Sequence, residues 1–308
     1  MIENPSRSME AVIQIKDITR RFGPKVALDN VSLTVPRGTV FGLVGANGAG
    51  KTTLIKHILG LLRAATGSVH VFDRDPVADP KGVLVRIGYL SEENDLPGWM
   101  RVDELLRYTQ AFYPNWDPAY AEDLRRSFEL DLAARIRNLS KGQRARAGLL
   151  IALAYRPELL VLDEPSSGLD PIVRRDIMGA IIRAIAEEGR TVLFSSHLLH
   201  EVERVADRVA MIHKGRIVFD APLDEIKETH RCLTIRFAEA RARPPVLASV
   251  LAWDGAGYEW TAVCNGQVGQ LRTAMTDCGA RIVAERIPSL DEIFVARVGS
   301  RCATPEEA

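Results

Sequence analysis

Through residues 11–221, short runs of apolar and β-branched residues alternate with longer stretches of helical period. The segments "AVIQIKDI", "TVFGLVG", "RIGYL", "LLVLDEP", "TVLFSS" and "VAMIHKGRIVF" read as strands. Strands that alternate with helices predict an α/β fold, with a mostly parallel sheet covered by helices. Between "RIGYL" and "LLVLDEP" roughly seventy residues carry a helical pattern, broken at "FYPNWDP" and at Asn138. That stretch predicts an inserted helical subdomain, about residues 92–157, with a surface of its own.

After "DAPLDEIKETH" the pattern changes. "RCLTIRF" and "EWTAVC" read as strands, 268–278 as a helix, "ARIVAERI" as a strand and 290–298 as a helix, which together predict a small α+β unit behind a linker near 222–230. The expected organisation is a tail at 1–10, an α/β domain at 11–224, the α+β domain at 225–300 and a tail at 301–308.

Composition narrows the function. In 308 residues, 40 Lys and Arg balance 40 Asp and Glu, with no block of like charge, so nothing marks a nucleic-acid footprint. No secretory leader is evident, and the densest apolar run, "GLLIALAY", is far short of the ~20 residues that span a bilayer, which predicts a soluble, cytosolic chain. Cys232, Cys264, Cys278 and Cys302 lack metal-knuckle spacing and read as thiols, partly buried.

The chemistry concentrates in "GANGAGKTT", which fits G-x-x-x-x-G-K-[ST] between an apolar strand and a helix. Gly45, Ala46, Asn47, Gly48, Ala49, Gly50, Lys51, Thr52 and Thr53 form the expected cradle. Its glycines turn backbone amides toward phosphates, and the helix start adds partial positive charge. Lys51 neutralises the β and γ phosphates, and the Thr52 hydroxyl ligates Mg2+. The following helix is expected to bury Leu54, Ile55, Ile58, Leu59 and Leu62. "LLVLDEP" delivers Asp163 at a strand end, to hold Mg2+ through water; strand alternation aims Glu164 elsewhere, where it can polarise the attacking water.

With the cradle, "LSKGQ" at 139–143, "LDEPSSGLD" at 162–170 and "SSH" at 195–197 closely resemble the ATP-binding cassette (ABC) family, in the expected order over residues 11 to about 221. The resemblance implies a P-loop NTPase cassette that hydrolyses ATP with Mg2+ and dimerises head to tail. Each ATP then lies between the cradle of one subunit and Ser140, Lys141, Gly142 and Gln143 of the other. It further implies that Asp170 lies at the dimer interface, that His197 contacts the γ-phosphate and that Phe22 stacks on adenine; a core phenylalanine is the alternative for Phe22. Two positions depart from the pattern. Lys141 stands in place of a glycine, and Glu92 in place of the glutamine that touches Mg2+, although a carboxylate can also accept from metal-bound water.

The same resemblance implies a separate transmembrane permease as partner, with this chain peripheral on the cytoplasmic face of the membrane. The aromatic-rich stretch "NDLPGWMRVDELLRYTQAFYPNWDP" is then a docking groove, or else simply fills the subdomain core. "GYLSEEN" and "IPSLDEIFV" resemble cassettes of export-type permeases, which favours export. The rival is a soluble cassette ATPase acting in translation or DNA repair. The C-terminal domain is expected to regulate or stabilise the dimer.

Overall fold

A computed structural model describes residues 10–93, 95–186, 189–247, 249–266, 272–273 and 279–299. The chain divides into two compact units, Met1–Leu198 with Val205–Asp220, and Leu199–Arg204 with Ala221–Ala308. The division falls at 220 rather than 224, and 199–204, a stretch inside the expected α/β domain, clusters with the C-terminal residues.

In the larger unit β1 (Ala11–Phe22), β2 (Lys25–Pro36) and β4 (Thr66–Val71) form an antiparallel sheet in the order β2-β1-β4. A second sheet takes β3 (Val40–Val44), β5 (Ile87–Leu90), β6 (Leu159–Asp163), β7 (Thr191–Ser196), β8 (Arg208–His213) and β9 (Arg216–Pro222) in the order β5-β6-β7-β3-β8-β9. Its strands from β5 to β8 run parallel. Every residue of β3, β6 and β7 is buried, which is why these strands read as unbroken apolar runs and not as alternating ones.

Three local expectations change. Strands β2 and β4 are not among the expected ones, although in β2 the buried Val31, Leu33 and Val35 alternate with the exposed Ser32 and Thr34. Asn30 kinks β2 at φ 50, and β4 opens on Thr and on Gly67, where a Cβ would sit 2.1 Å from the Lys16 carbonyl. Both pair with β1 in antiparallel register. "VAMIHKGRIVF" is two strands, because Lys214 (φ 46) and Gly215 (φ 77) form a two-residue turn. Helix α1 (Lys51–Ile58) stops short of Leu62, since Gly60 at φ 70 ends the helical path. Leu54, Ile55, Ile58 and Leu59 are buried against Phe41, Leu43 and Ile212 as the amphipathic face requires, and Leu62 is half-buried beyond the helix.

The helices that follow are α2 (Pro80–Leu84), α3 (Val102–Gln110), α4 (Pro118–Ser127), α5 (Lys141–Leu153) and α6 (Pro171–Ala186). Asp117 accepts from the Tyr120 amide at 2.9 Å and starts α4 before Pro118, so "NWDP" is a helix cap as well as a break. Helix α5 packs against α3, α4 and β5. At its end the buried Tyr155 hydroxyl donates to the Ile87 carbonyl at 2.6 Å, and its ring stacks on Tyr113 with centroids 3.7 Å apart.

The smaller unit contains α7 (Leu199–Val205), α8 (Leu223–Thr229), an antiparallel sheet and α9 (Leu290–Gly299). The sheet takes β10 (His230–Arg241), β11 (Val250–Asn265) and β12 (Ala280–Arg286) in the order β11-β10-β12. Leu233, Ile235, Phe237, Trp260 and Ala262 form its core. Cys232 and Cys264 are buried free thiols, and burial together with Cys232 pushes the Cys264 thiol up to about 12, which keeps it protonated and inert. Cys278, Cys302 and the helix expected at 268–278 lie outside the described residues, Arg272 and Thr273 excepted.

Tyr155→Phe keeps the ring stack and removes the buried hydrogen bond to β5. The substitution is expected to lower unfolding free energy by about 1–2 kcal/mol, read as a reduced urea midpoint at unchanged slope.

Candidate active site

The cradle is built by close backbone approaches. A Cβ on Gly45 would lie 2.3 Å from the Ile212 carbonyl, and one on Gly50, itself at φ 117, would lie 2.7 Å from the Ala27 carbonyl. Only glycine fits at either position. The loop closes with Ala49 N–H donating to the Ala46 carbonyl at 3.1 Å, and it is pinned from behind by Gly215 N–H donating to the Ala49 carbonyl at 2.9 Å. Gly50 caps α1 without a side chain, and no acidic residue lies in the first turn. The leading amides of α1 therefore face the cleft without helical partners, where an anion satisfies them.

The cleft encloses about 370 Å³ and is lined by Phe22, Lys25, Asn47, Thr52, Glu92 and Glu164 among others. Phe22 is 46% exposed at the end of β1 and is not a core residue; the Arg20 guanidinium lies 4.8 Å from its ring centre. Gly45, Ala46 and Ala49 shape the loop without lining the cleft, whereas Gly48, Gly50, Lys51 and Thr53 join the lining. Glu92 is exposed on the wall, with Ser167 Oγ 3.5 Å from its Oε1.

At the floor, Lys51 is 5% exposed and donates to the carbonyls of Gly45 at 2.6 Å and Ala46 at 3.2 Å. Its ammonium also lies 3.0 Å from Glu164 Oε1, an ion pair in which both side chains are buried. Glu164 leaves β6 in the left-handed region at φ 49. Its Oε2 accepts from His197, whose Nδ1 lies at 2.7 Å and whose backbone N–H lies at 3.3 Å; the ring contact places the proton on Nδ1, because a carboxylate only accepts. Asp163 is buried at the end of β6, and its Oδ1 accepts from Ser195 Oγ at 2.6 Å. Behind it, the Tyr89 phenol is pushed up to about 12 by burial and by the charges of Asp163 and Glu93, so it stays neutral.

Ser140, Lys141, Gly142 and Gln143 stand apart from this cleft. Ser140 Oγ accepts from the Gln143 amide at 3.2 Å while Gln143 Oε1 accepts from the Ser140 amide at 3.0 Å, a capping box that starts α5. Gly142 is buried, and a Cβ there would meet Val173 at 2.7 Å, so this glycine lets α5 approach α6. Asp170 Oδ1 accepts from the amides of Ile172 at 3.0 Å and Val173 at 3.1 Å. It therefore caps α6, next to an Ile172 side chain that is 62% exposed. Lys25, Ala27 and Ser195 were not singled out by their residue types; "SSH" marked the neighbourhood of Ser195, and only the strand register reveals its contacts.

Residues 28–167 match the ABC transporter family. The chain is 32% identical over 228 residues to the bacitracin transport ATP-binding protein BcrA of Bacillus licheniformis, across 72% of this chain and 74% of that protein. The chain belongs to the ABC transporter family. Another ABC relative, the ATP-binding protein YtrB of Bacillus subtilis, is 26% identical over 290 residues and covers 94% of this chain and 99% of its own. A solved ATP-binding subunit of an ABC transporter superposes with a TM-score of 0.65 at 29% identity, over 70% of this chain and 92% of that one. The protein is an ATP-binding and ATP-hydrolysing subunit of an ABC transporter, with the P-loop NTPase fold of that family.

Gly45→Ala forces the loop off the Ile212 carbonyl. The expected result is at least about a tenfold loss of ATP affinity by calorimetry, equivalent to about 1.4 kcal/mol.

Proposed function

We propose that two copies of this cassette, or this chain and a close paralogue, enclose Mg2+–ATP head to tail and drive export through a separate membrane permease. The observation that carries the reading is the linked cluster of Lys51, Glu164 and His197, of which Lys51 and Glu164 line the cleft together with the start of α1 and His197 contacts Glu164. Lys51 pairs with Glu164 and neutralises it. The β and γ phosphates offer Lys51 a more highly charged partner, and its transfer to them frees Glu164 to accept a proton from water attacking the γ-phosphorus, with ADP as the leaving group. His197 holds the Glu164 carboxylate in place and faces the γ-phosphate. Phe22, exposed at the end of β1, supplies the ring for adenine.

The donor set suits a hard divalent cation. Thr52 Oγ1 at the helix start, Asp163 and Glu92 are all oxygen ligands, and Ser195 occupies one Asp163 oxygen only, which leaves the other for metal-bound water. Mg2+ held there would neutralise charge that develops on the phosphates.

Ser140 and the α5 start do not line this copy's cleft. A second copy would supply them, with Ser140 exchanging its intrahelical contact for the γ-phosphate. Asp170 and the exposed Ile172 would lie at that interface. A second surface fits the permease. An apolar groove of about 320 Å³, lined by Leu61, Leu84, Tyr113, Ile151 and Tyr155 among others, runs beside α3, where Tyr108 and Phe112 are exposed and packed edge to face. These rings, with Trp99 at 67% exposure, support the docking alternative over core filling, while Tyr113 is half-buried in its stack. No helix among the described residues is long and apolar enough to cross a membrane. A separate permease would carry the pathway, with this chain on its cytoplasmic face, as the family resemblance implies. Export is favoured because "GYLSEEN" and "IPSLDEIFV" resemble export cassettes. The C-terminal unit is assigned a regulatory or dimer-stabilising role.

Glu164→Gln is expected to lower kcat about a hundredfold or more while ATP accumulates a dimer in size-exclusion chromatography, and adding Ser140→Trp should return that species to monomer. A monomer for Glu164→Gln at saturating ATP would count against the assignment. The same Gln variant should also bind ADP about tenfold more tightly as a monomer, because Lys51 no longer has a carboxylate to leave; equal ADP affinity would refute the exchange. Affinity purification in mild detergent should recover a polytopic membrane protein, and its absence would favour a soluble ATPase.

A further inference from the structure

Ser195 joins the two acids of the site, and no motif assigns it a task. It lies on β7 directly opposite Asp163 in parallel register and is fully buried. Its hydroxyl donates to Asp163 Oδ1 at 2.6 Å and accepts from the Glu164 amide at 2.9 Å. Neighbouring rungs of the same ladder pair Val161 with Leu193 and Leu162 with Phe194, so packing at this depth calls for apolar side chains. A buried hydroxyl here is explained by the two consecutive acids it touches.

We infer that Ser195 is a positioning residue for the ATPase reaction: it orients the Asp163 carboxylate and holds the Glu164 turn. The inference rests on the roles given above to Asp163 and Glu164. The final torsion of an aspartate is broad, so a carboxylate at a strand end swings unless one oxygen is fixed. Ser195 fixes Oδ1 and thereby sets the direction in which Oδ2 would meet metal-bound water. Glu164 sits at φ 49, a region that side chains with a Cβ disfavour, and its amide donates to the buried Ser195 hydroxyl at the start of that turn. The turn places Oε1 against Lys51 and Oε2 against His197. One hydroxyl thus couples the metal-facing acid to the water-facing acid. Removing it leaves an acceptor and a donor unpaired in a buried position.

The test compares Ser195→Ala, Ser195→Thr and Ser195→Cys in the full chain. Mn2+ binding is measured by electron paramagnetic resonance in the presence of a non-hydrolysable ATP analogue, and amide hydrogen exchange is followed in the peptide that carries Glu164. Ser195→Ala is expected to weaken Mn2+ about tenfold, to lower kcat by a similar factor and to speed exchange at Glu164. KM for ATP should stay within about twofold, because the cradle is intact. Ser195→Thr, which keeps the hydroxyl on a β-branched side chain suited to a strand, should restore all of these readouts. A folded Ser195→Ala protein with wild-type Mn2+ affinity and wild-type exchange overturns the inference. Where Ser195→Ala does not fold, Ser195→Cys decides, since it keeps the size but donates weakly: weakened Mn2+ binding supports the role and wild-type binding overturns it. Asp163→Asn and Glu164→Gln run alongside. Full turnover in both refutes the reading of the site itself, whereas their loss beside a wild-type Ser195→Ala refutes only the part given to Ser195.

Discussion

The structure is organised around a buried ion pair, Lys51 with Glu164 at 3.0 Å. Burying two charges is costly, and such a pair persists only where further hydrogen bonds compensate each ion. Both ions are compensated here. Lys51 donates to the Gly45 and Ala46 carbonyls, and Glu164 accepts from the ring and backbone of His197. The strand order makes this possible: β7 lies between β6 and β3, so the residues at its end stand between the acid that leaves β6 and the lysine that follows β3. A pair assembled in this way adds little net stability. In the proposed cycle its value lies in exchange, since each ion is held close to a better partner that would arrive with the nucleotide.

Helix α5 extends that local exchange across the subdomain. Its first residue follows Ser140, whose hydroxyl is held in a capping box, and residues near its last turn, Ile151 and Ala152, line the apolar groove. The 13 residues of α5 rise about 20 Å, enough to connect the proposed interface with a second cassette to the proposed docking surface. The helix is anchored along its length by Gly142 against Val173 and by Arg146, which pairs with Asp176 at 2.6 Å. In the proposed cycle a phosphate that binds at one end and a permease helix that docks at the other act on the same rigid element.

Lys141 and Glu92, the two departures from the family pattern, both border the loop between Asp163 and Asp170. Glu92 approaches Ser167, and a Cβ on Gly168 would lie 2.5 Å from the Lys141 ammonium. One adds negative charge at the cleft wall and the other adds positive charge at the α5 start, so the charge is redistributed on the two sides of one loop.

The amino-acid sequence determined the parts of this protein whose chemistry is local. The cradle is legible because its glycines, Lys51 and Thr52 lie within one turn and one helix start, and each is required by the backbone around it. The buried strands β3, β6 and β7 are legible because burial on both faces leaves an unbroken apolar run. Tertiary structure decided whatever depends on a partner distant in the chain. Segment β4, which opens on Thr66 and Gly67, is a strand because β1 pairs with it, Phe22 is exposed because β1 ends at the cleft, and Ser195 matters because the register sets it opposite Asp163. The physical reason is common to all three. A hydrogen bond between strands, or between a hydroxyl and two acids 31 and 32 residues away, is set by register and sheet order, which local composition does not encode.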